Sequence, residues 1–274
     1  MIIKELQGHS GCNVSLHSES SGERFVRKIS PNAEYNNRLN LQMKKQEKFK
    51  SSEIHVPDII EYGYIEDLFY FDMEFIKGES LHEYISKNSS DNISNIFSKI
   101  ESYFKNYTVL EEKDCRDIIE NKVNTTLEKI SLKDRAEFEK YREFIVDNEW
   151  SKIPITAYCH GDMTFENIIV SKNSIYLIDF LDTYESSILL DASKMLQDVL
   201  YFWSWRNYQK KSISKNMYIL DKLDNIELFI RNKEIIRALV VLDILRIIPY
   251  TKNENTRNYL KLCLERSTSR RYKN

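Results

Sequence analysis

Alternating apolar and polar positions in the first quarter of the chain predict β-strands. Over residues 12–29, CNVSLHS alternates, ESSGE supplies a turn and RFVRKI alternates again, which predicts a hairpin. After Pro57, DIIEYGYI and LFYFDMEFI continue the sheet, and the second of them has the pattern of a buried strand that ends before Lys77 and Gly78. Residues 12–76 are therefore predicted to form a small antiparallel sheet.

Helical spacing replaces this alternation in one insert and then in most of the remaining chain. The insert YNNRLNLQMKKQEKF places Leu39, Met43, Gln46 and Phe49 at helical intervals without a breaker. Further on, helices are predicted for amphipathic segments over residues 90–148, for residues 189–205, and for NIELFIRNKEIIRALVVLDILRIIP and TRNYLKLCLERS. This order predicts an α+β fold with two lobes: residues 1–76 form a sheet with one helix, and residues 77–274 form a larger, mostly helical lobe.

Composition and charge exclude several classes of function. Of the 274 residues 42% are hydrophobic, and 40 basic against 42 acidic side chains give a net charge of −2, so no electrostatic argument favours nucleic acid or an anionic membrane. No stretch approaches the roughly 18 apolar residues of a membrane span, and no protein partner can be inferred. The four cysteines are far apart and form no CxxC pair, which is typical of reduced thiols, and we expect a cytoplasmic protein.

The candidate chemistry lies in CHGDMTFENIIVSKNSIYLIDF, residues 159–180. NIIV, SKN and SIYLID predict two short strands around a turn near Asn173, with Ile168 opposite Ile178, so that Asn167 and Asp179 emerge side by side. An amide oxygen and a carboxylate suit a hard cation such as Mg²⁺. Asp162, on the loop before this hairpin, is placed to accept a proton from a hydroxyl group. Taken singly, each of these residues is more often a turn former or a strand-end acid than a functional group.

Two motifs in this stretch resemble those of a known family. HGDMTFENIIV followed by YLIDF resembles the H-G-D-x-x-x-x-N and I-D-[FWL] motifs of the aminoglycoside phosphotransferase and choline kinase family, which are small-molecule kinases with a protein-kinase-like fold. The resemblance implies that Asp162 is the catalytic base, that Asn167 and Asp179 bind Mg²⁺, and that His160 supports the loop. It implies ATP- and Mg²⁺-dependent transfer of a phosphate to a hydroxyl of a small molecule, a sugar or an amino alcohol.

The same resemblance assigns the nucleotide site to the first lobe. Lys28 in RFVRKI takes the position of the family's phosphate-binding lysine, and alternation places Val26 on the same face and Arg27 on the other. In YFDMEFIKG, Met73 is expected to border the adenine pocket, and Glu74 and Ile76 to offer backbone contacts. The backbone amides of Ser10 to Cys12 are candidates for a phosphate cradle. The helix after Lys28 lacks an obvious Glu partner for this lysine; Gln42, Gln46 and Glu47 are the candidates.

The acceptor is less defined by the sequence. Asp182 and Glu185 are candidates to bind a polyol or an amine, or they are solvated loop residues. The aromatic run YFWSWRNY, with Trp203 at its centre, either binds a quaternary ammonium or a sugar ring, or packs in the core. Asp191 is expected to cap a helix or hold a loop. Two alternatives stay open: a kinase of choline or ethanolamine, and a nucleotide-binding pseudokinase without turnover.

Overall fold

The computed structural model of the chain describes residues 2–6, 11–208 and 211–269. Two compact units contain them. The first takes the residues up to Tyr103 together with His160–Asp162 and Glu166–Thr183, and the second takes Phe104–Cys159, Met163–Phe165 and the residues from Tyr184 onward. The predicted division into lobes at residues 76 and 77 stays a prediction.

Strands are concentrated in the first unit, and helices in the second. The strands of the described residues are β1 (Ile2–Leu6), β2 (Asn13–Ser18), β3 (Arg24–Ile29), β4 (Ile54–His55), β5 (Ile59–Ile65), β6 (Leu68–Glu74), β7 (Glu79–Ser80), β8 (Val109–Lys113), β9 (Ile153–Thr156), β10 (Ile168–Ser171) and β11 (Ser174–Leu177). The helices are α1 (Asn36–Lys48), α2 (Leu81–Lys87), α3 (Ser90–Lys105), α4 (Arg116–Glu128), α5 (Leu132–Val146), α6 (Ile188–Tyr201), α7 (Ile213–Asp224), α8 (Glu227–Arg231), α9 (Lys233–Ile247) and α10 (Glu254–Thr268).

A five-stranded antiparallel sheet forms the first part of the first unit. Its strand order is β1-β2-β3-β6-β5, and the predicted hairpin of β2 and β3 is confirmed with Leu16 opposite Val26. Strand β1 was not predicted. The alternation of RFVRKI buries Val26 and Lys28 on one face, where Val26 packs in an apolar cluster with Phe71 and Met73. The sequence pattern thus determines which side chains of β3 face the helix side of the sheet.

Helix α1 packs against this sheet. Leu39 and Met43 are fully buried in the apolar cluster, and the two amides Gln42 and Gln46 are buried as well. Phe49, which the pattern counted in the helix, follows its end and packs edge-on against Phe180 with 5.4 Å between ring centroids. Burying two amides on the inner face of a helix requires hydrogen-bond partners for them, and these partners lie in the candidate site.

A second, four-stranded sheet in the same unit has the order β4-β11-β10-β7. Its hairpin of β10 and β11 confirms the predicted pair of strands but corrects the register: Ile168 lies opposite Leu177, not Ile178. The cause is a two-residue turn at Lys172 and Asn173, whose φ values of 48° and 65° are those of a type I′ turn. The sheet carries Asn167 and Asp179 at one of its ends.

The second unit is mostly helical, with two departures from the prediction. The stretch 90–148 is not helical throughout, since it contains β8, which pairs with β9. The segment predicted as one helix from Asn225 onward is two helices, α8 and α9, that meet at Asn232. Among the described residues, no helix is long and apolar enough to span a membrane. The α+β class predicted from the sequence is confirmed.

Candidate active site

One cavity of the first unit is lined by most of the residues that the sequence predicted to bind the nucleotide or the metal ion. It has a volume of about 360 Å³, in the range of small-molecule sites. Six residues predicted to bind nucleotide or metal line it: Lys28, Met73, Glu74, Ile76, Asn167 and Asp179. Val26, Gln42, Gln46, Gly78, Glu166 and Ile178 also line it.

Lys28 is an almost fully buried cation in the wall of this cavity, with 4% of its side chain exposed. Its ammonium group forms an ion pair with Asp179, whose side chain is partly exposed. A buried ammonium requires such a partner because its charge loses the stabilisation of water. Arg27, the next residue, lies on the other face of the sheet and forms two hydrogen bonds of 2.7 Å with Asp72.

The helix position that faces Lys28 is Gln42. Its Oε1 lies 3.5 Å from Lys28 Nζ, and its Nε2 donates to Asp182 Oδ1 at 3.0 Å. Gln46, the second candidate, donates instead to the carbonyl oxygen of Pro57 at 2.8 Å, and Glu47 is exposed. The negative charge that balances Lys28 therefore comes from Asp179 and not from α1.

Asp162 and Asn167 contact each other at the entry to β10. The Asn167 Nδ2 donates to the backbone oxygen of Asp162 at 2.9 Å and to its Oδ2 at 3.0 Å. This use of the amide nitrogen turns the amide oxygen of Asn167 away from Asp162, as an amide has its oxygen and nitrogen on opposite sides. Asp179 has φ of 63°, a left-handed conformation that few residues other than glycine adopt. Such backbone conformations cluster at functional sites.

His160 links the backbone of Asp162 to that of the residue before Asp179. Its Nδ1 accepts from the Asp162 N–H at 3.2 Å, and its Nε2 lies 2.7 Å from the Ile178 carbonyl oxygen. The neutral tautomer with a proton on Nε2 satisfies both contacts, because that nitrogen donates while the other accepts. The ring is fully buried and packs edge-on against Phe180 at 4.4 Å. These contacts support the loop-holding role expected for His160.

Gly161 lies between these two residues in a space that admits no side chain. Its φ is 90°, and an added Cβ would lie 2.3 Å from Thr183 Cγ2 and 3.2 Å from Lys45 Nζ. Gly22 has nearly the same φ, 89°, but nothing lies within 4 Å of the corresponding Cβ position. Comparing substitutions at Gly161 and Gly22 therefore separates the cost of backbone strain from the cost of a steric clash.

We expect Gly161→Ala to lower the free energy of unfolding by about 2 to 4 kcal/mol, since it combines left-handed strain of about 1 kcal/mol with a clash of about 1 to 3 kcal/mol. Gly22→Ala incurs only the strain. Urea unfolding of both variants measures the difference. Adding Thr183→Ser, which removes the clashing methyl group and keeps the hydroxyl, restores part of the loss in Gly161→Ala; equal losses in both glycine variants contradict the assignment.

The chemistry of the donor set fits a magnesium ion. The amide oxygen of Asn167 and the carboxylate of Asp179 are hard oxygen ligands that line the same cavity, and Mg²⁺ is commonly held by one or two protein oxygens with water and phosphate at its other positions. The Ile178 N–H donates to the Asn167 carbonyl at 3.0 Å, which ties the two strand ends together. In the described part of the chain, no three His, Cys, Asp or Glu side chains form a metal-binding cluster.

The segment predicted to contact adenine lies at the end of β6. Met73 is buried in the wall of the cavity, next to Val26 across the strand pair. The Glu74 N–H donates to the Asp58 carbonyl at 2.9 Å, so the contact predicted at Glu74 rests on its carbonyl oxygen. The phosphate cradle predicted at Ser10 to Cys12 lies partly outside the described residues, because Ser10 is not among them.

Two acids have structural places that differ from what the sequence indicated. Glu166, a variable position of the motif that the sequence predicts to point to solvent or to support the loop, lines the cavity. Asp198 was not singled out. Asp198, on α6 in the second unit, is fully buried and accepts from the Phe165 N–H at 2.7 Å and from the Ser204 N–H at 2.6 Å. The signal for Asp198 is an acid within the apolar run MLQDVLYF, since such a buried charge requires donors around it. Asp191, the acid named from the sequence, is fully buried in the first turn of α6.

The candidate acceptor-binding residues have protein partners. Asp182 receives hydrogen bonds from Arg38 at 2.7 Å and from Gln42, both in the first unit. Glu185, in the second unit, pairs with Lys113 at 2.5 Å. The substrate role of both acids stays a prediction.

The aromatic run around Trp203 is divided between core and surface. Trp205 is buried against Phe165, and the Tyr201 hydroxyl lies 2.6 Å from Ser267 Oγ. Trp203 itself is half-buried, and the guanidinium of Arg206 lies over its ring at 4.2 Å. One face of the ring thus already contacts a cation, and an acceptor role of Trp203 stays a prediction.

Comparisons with known proteins agree with the kinase-like arrangement of these residues. A family model described as the phosphotransferase enzyme family (APH) matches residues 3–212. No curated protein sequence matches the chain significantly. Among solved structures, a thermostable mutant of aminoglycoside phosphotransferase APH(4)-Ia in ternary complex with ADP and hygromycin B is similar with a TM-score of 0.69 and 11% identity, over 97% of this chain and 94% of that one.

Two further structures share the fold. The GDP and kanamycin complex of APH(2")-IIia has a TM-score of 0.62 at 10% identity, over 97% of this chain and 93% of its own. A putative fructosamine-3-kinase from Haemophilus somnus has a TM-score of 0.60 at 12% identity, over 98% and 92%. These likenesses confirm the protein-kinase-like fold. With the family model covering most of the sequence, the chain belongs to the phosphotransferase enzyme family and is a small-molecule kinase.

Proposed function

We propose that this protein transfers the γ-phosphate of ATP, with Mg²⁺, to a hydroxyl group of a sugar-based or amino-alcohol acceptor. The observation that carries the proposal is the single cavity that brings Lys28 and Asp179 into an ion pair and places Asn167 beside them. A cation for phosphate, a carboxylate and an amide oxygen for metal, and a nearby carboxylate for proton transfer are the parts that phosphoryl transfer needs.

Each side chain has a role in this proposal. Lys28 binds phosphate oxygens of the nucleotide, and Asn167 and Asp179 hold the magnesium ion, which neutralises charge on the phosphates when bound. Asp162 accepts the proton of the acceptor hydroxyl while the oxygen of that hydroxyl bonds to the γ-phosphorus. The bond between that phosphorus and the bridging oxygen breaks, and ADP leaves with the electron pair. Met73, Glu74 and Ile76 border the adenine ring.

The names of the solved relatives support the proposed acceptor class. Hygromycin B and kanamycin are named as ligands of two of them, and a third is called a fructosamine kinase. These are sugar-derived compounds that carry amines, so an amino sugar or a glycated amine is the first acceptor to test. A cytoplasmic location belongs to the same proposal.

An acceptor screen tests the function. Purified protein is incubated with ATP, Mg²⁺ and one compound at a time from a panel of aminoglycosides, fructosamines, simple sugars, choline and ethanolamine, and acceptor-dependent release of ADP is measured. We expect release with a sugar-based member and a phosphate ester in the ³¹P spectrum of the product. Release with choline or ethanolamine alone supports that narrower kinase instead. Binding of Mg·ATP without release for any compound supports a pseudokinase.

A further inference from the structure

Helix α1 presents a polar stripe to the segment that follows Asp179. Arg38 Nε donates to Asp182 Oδ1 at 2.7 Å, and Gln42 Nε2 donates to the same oxygen at 3.0 Å. Positions four apart lie on one face of a helix, so both donors reach the carboxylate together. Asp182 is three residues after Asp179, and its carboxylate is bound by these two side chains of α1.

Lys45 extends this stripe by one turn. Its ammonium group donates to the Leu181 carbonyl oxygen at 2.8 Å and to Thr183 Oγ1 at 2.9 Å. The Leu181 N–H in turn donates to the His160 carbonyl oxygen at 3.2 Å. Each residue from Leu181 to Thr183 is thus bonded to α1, and the segment is also bonded to the loop that carries Asp162.

Gln42 is the central group of this contact because an amide both donates and accepts. Its oxygen faces the Lys28 ammonium at 3.5 Å while its nitrogen donates to Asp182. A glutamate at this position, which the family resemblance leads one to expect, has no proton to donate to Asp182. It would also place a second negative charge next to that carboxylate, in a buried position where only 2% of the Gln42 residue is exposed.

We propose that Gln42 and Asp182 are positioning residues: Gln42 occupies the helix position where the family resemblance implies a glutamate paired with the lysine, and its contact with Asp182 instead sets the position of Asp179. Lys28 is left to pair with Asp179 itself, and α1 fixes Asp179 through residues 181–183. This assigns Asp182 to the support of the metal ligand and not to the acceptor. The inference rests on the proposed function, since it takes Asp179 as the ligand of a nucleotide-bound magnesium ion.

The test is an exchange of the two side-chain chemistries. Gln42→Glu, Asp182→Asn and the double variant are compared for binding of the ATP analogue AMP-PNP, with and without Mg²⁺, and for thermal unfolding without nucleotide. We expect Gln42→Glu to reduce the affinity gained on adding Mg²⁺ by about tenfold or more and to lower Tm. The tenfold figure corresponds to the loss of one hydrogen bond to a charged group. In the double variant the donor and acceptor are exchanged, so both losses are largely recovered.

The matched control is Asn37→Asp, which adds the same charge on the exposed face of α1. It is expected to leave the magnesium dependence unchanged and to keep or slightly raise Tm, because an acid in the first turn of a helix is favourable. If Gln42→Glu lowers Tm but does not reduce the affinity gained on adding Mg²⁺, the result contradicts a positioning role. Gln42→Glu with unchanged magnesium dependence, or a double variant no better than Gln42→Glu, overturns the inference. Failure of the proposed function is seen separately in the unchanged protein, as an absence of acceptor-dependent ADP release or of Mg²⁺-dependent AMP-PNP binding.

Discussion

Asp162→Asn is expected to lower the turnover number by about 10²- to 10⁴-fold, the usual contribution of a general base. The change keeps the size of the side chain and leaves an oxygen to accept from Asn167 Nδ2, which lies 3.0 Å from Asp162 Oδ2. It removes only the ability to take the acceptor's proton. Turnover is measured with the acceptor found in the screen, and the affinity for Mg·AMP-PNP is measured alongside.

The pattern of the two readings decides the role of Asp162. Unchanged nucleotide affinity with lost turnover is the expected pattern, because Asp162 does not line the cavity that Lys28 and Asp179 share. Asp221→Asn, an exposed change on α7, serves as the matched control and keeps full turnover. Turnover near that of the unchanged protein in Asp162→Asn sinks the assignment of the base.

Asp198→Ala is expected to lower the free energy of unfolding by about 3 kcal/mol or more. Asp198 is fully buried and accepts from the Phe165 N–H, from the Ser204 N–H and, at 2.8 Å, from Ser204 Oγ. Each buried donor left without an acceptor costs about 1 to 3 kcal/mol. Urea unfolding measures this loss. Proteins are ordinarily stable by about 5 to 15 kcal/mol, so a protein in the upper part of that range stays folded after the substitution and can be purified.

A graded pair of variants tests this account. Asp198→Asn keeps one acceptor oxygen, so its loss is expected to be clearly smaller than that of Asp198→Ala. Asp221→Ala, an exposed aspartate on α7, is expected to stay within about 0.5 kcal/mol of the unchanged protein. If Asp198→Ala behaves like Asp221→Ala, the hydrogen bonds to Phe165 and Ser204 do not stabilise the fold.

Local patterns carried most of the correct predictions. The hairpin of β2 and β3, the strand β6 and the helix α1 follow from the period of apolar positions, because a strand repeats every two residues and a helix every 3.6. The motif around Asp162, Asn167 and Asp179 is local in the same sense. Its residues lie within eighteen positions of the chain, so their spacing alone predicts that one loop and one hairpin bring them together.

Errors arose where local preference was overruled by contacts in space. The strand β8 lies in a stretch with amphipathic character, and it is a strand because β9 pairs with it. The break between α8 and α9 at Asn232 interrupts a pattern that is apolar on both sides. Neither the pairing partner nor the packing surface is visible in the sequence of the segment itself.

The sequence by itself determined the reaction class, through a motif whose spacing identifies the kinase family, and the face of β3 on which Lys28 lies. Only the tertiary structure decided the partners of the charged groups. Lys28 and Asp179 are 151 positions apart, and Arg38 and Asp182 are 144 apart. The physical reason is that the charge balancing a buried side chain comes from whichever distant segment folds against it. The pattern of neighbouring residues along the chain does not show which segment that is.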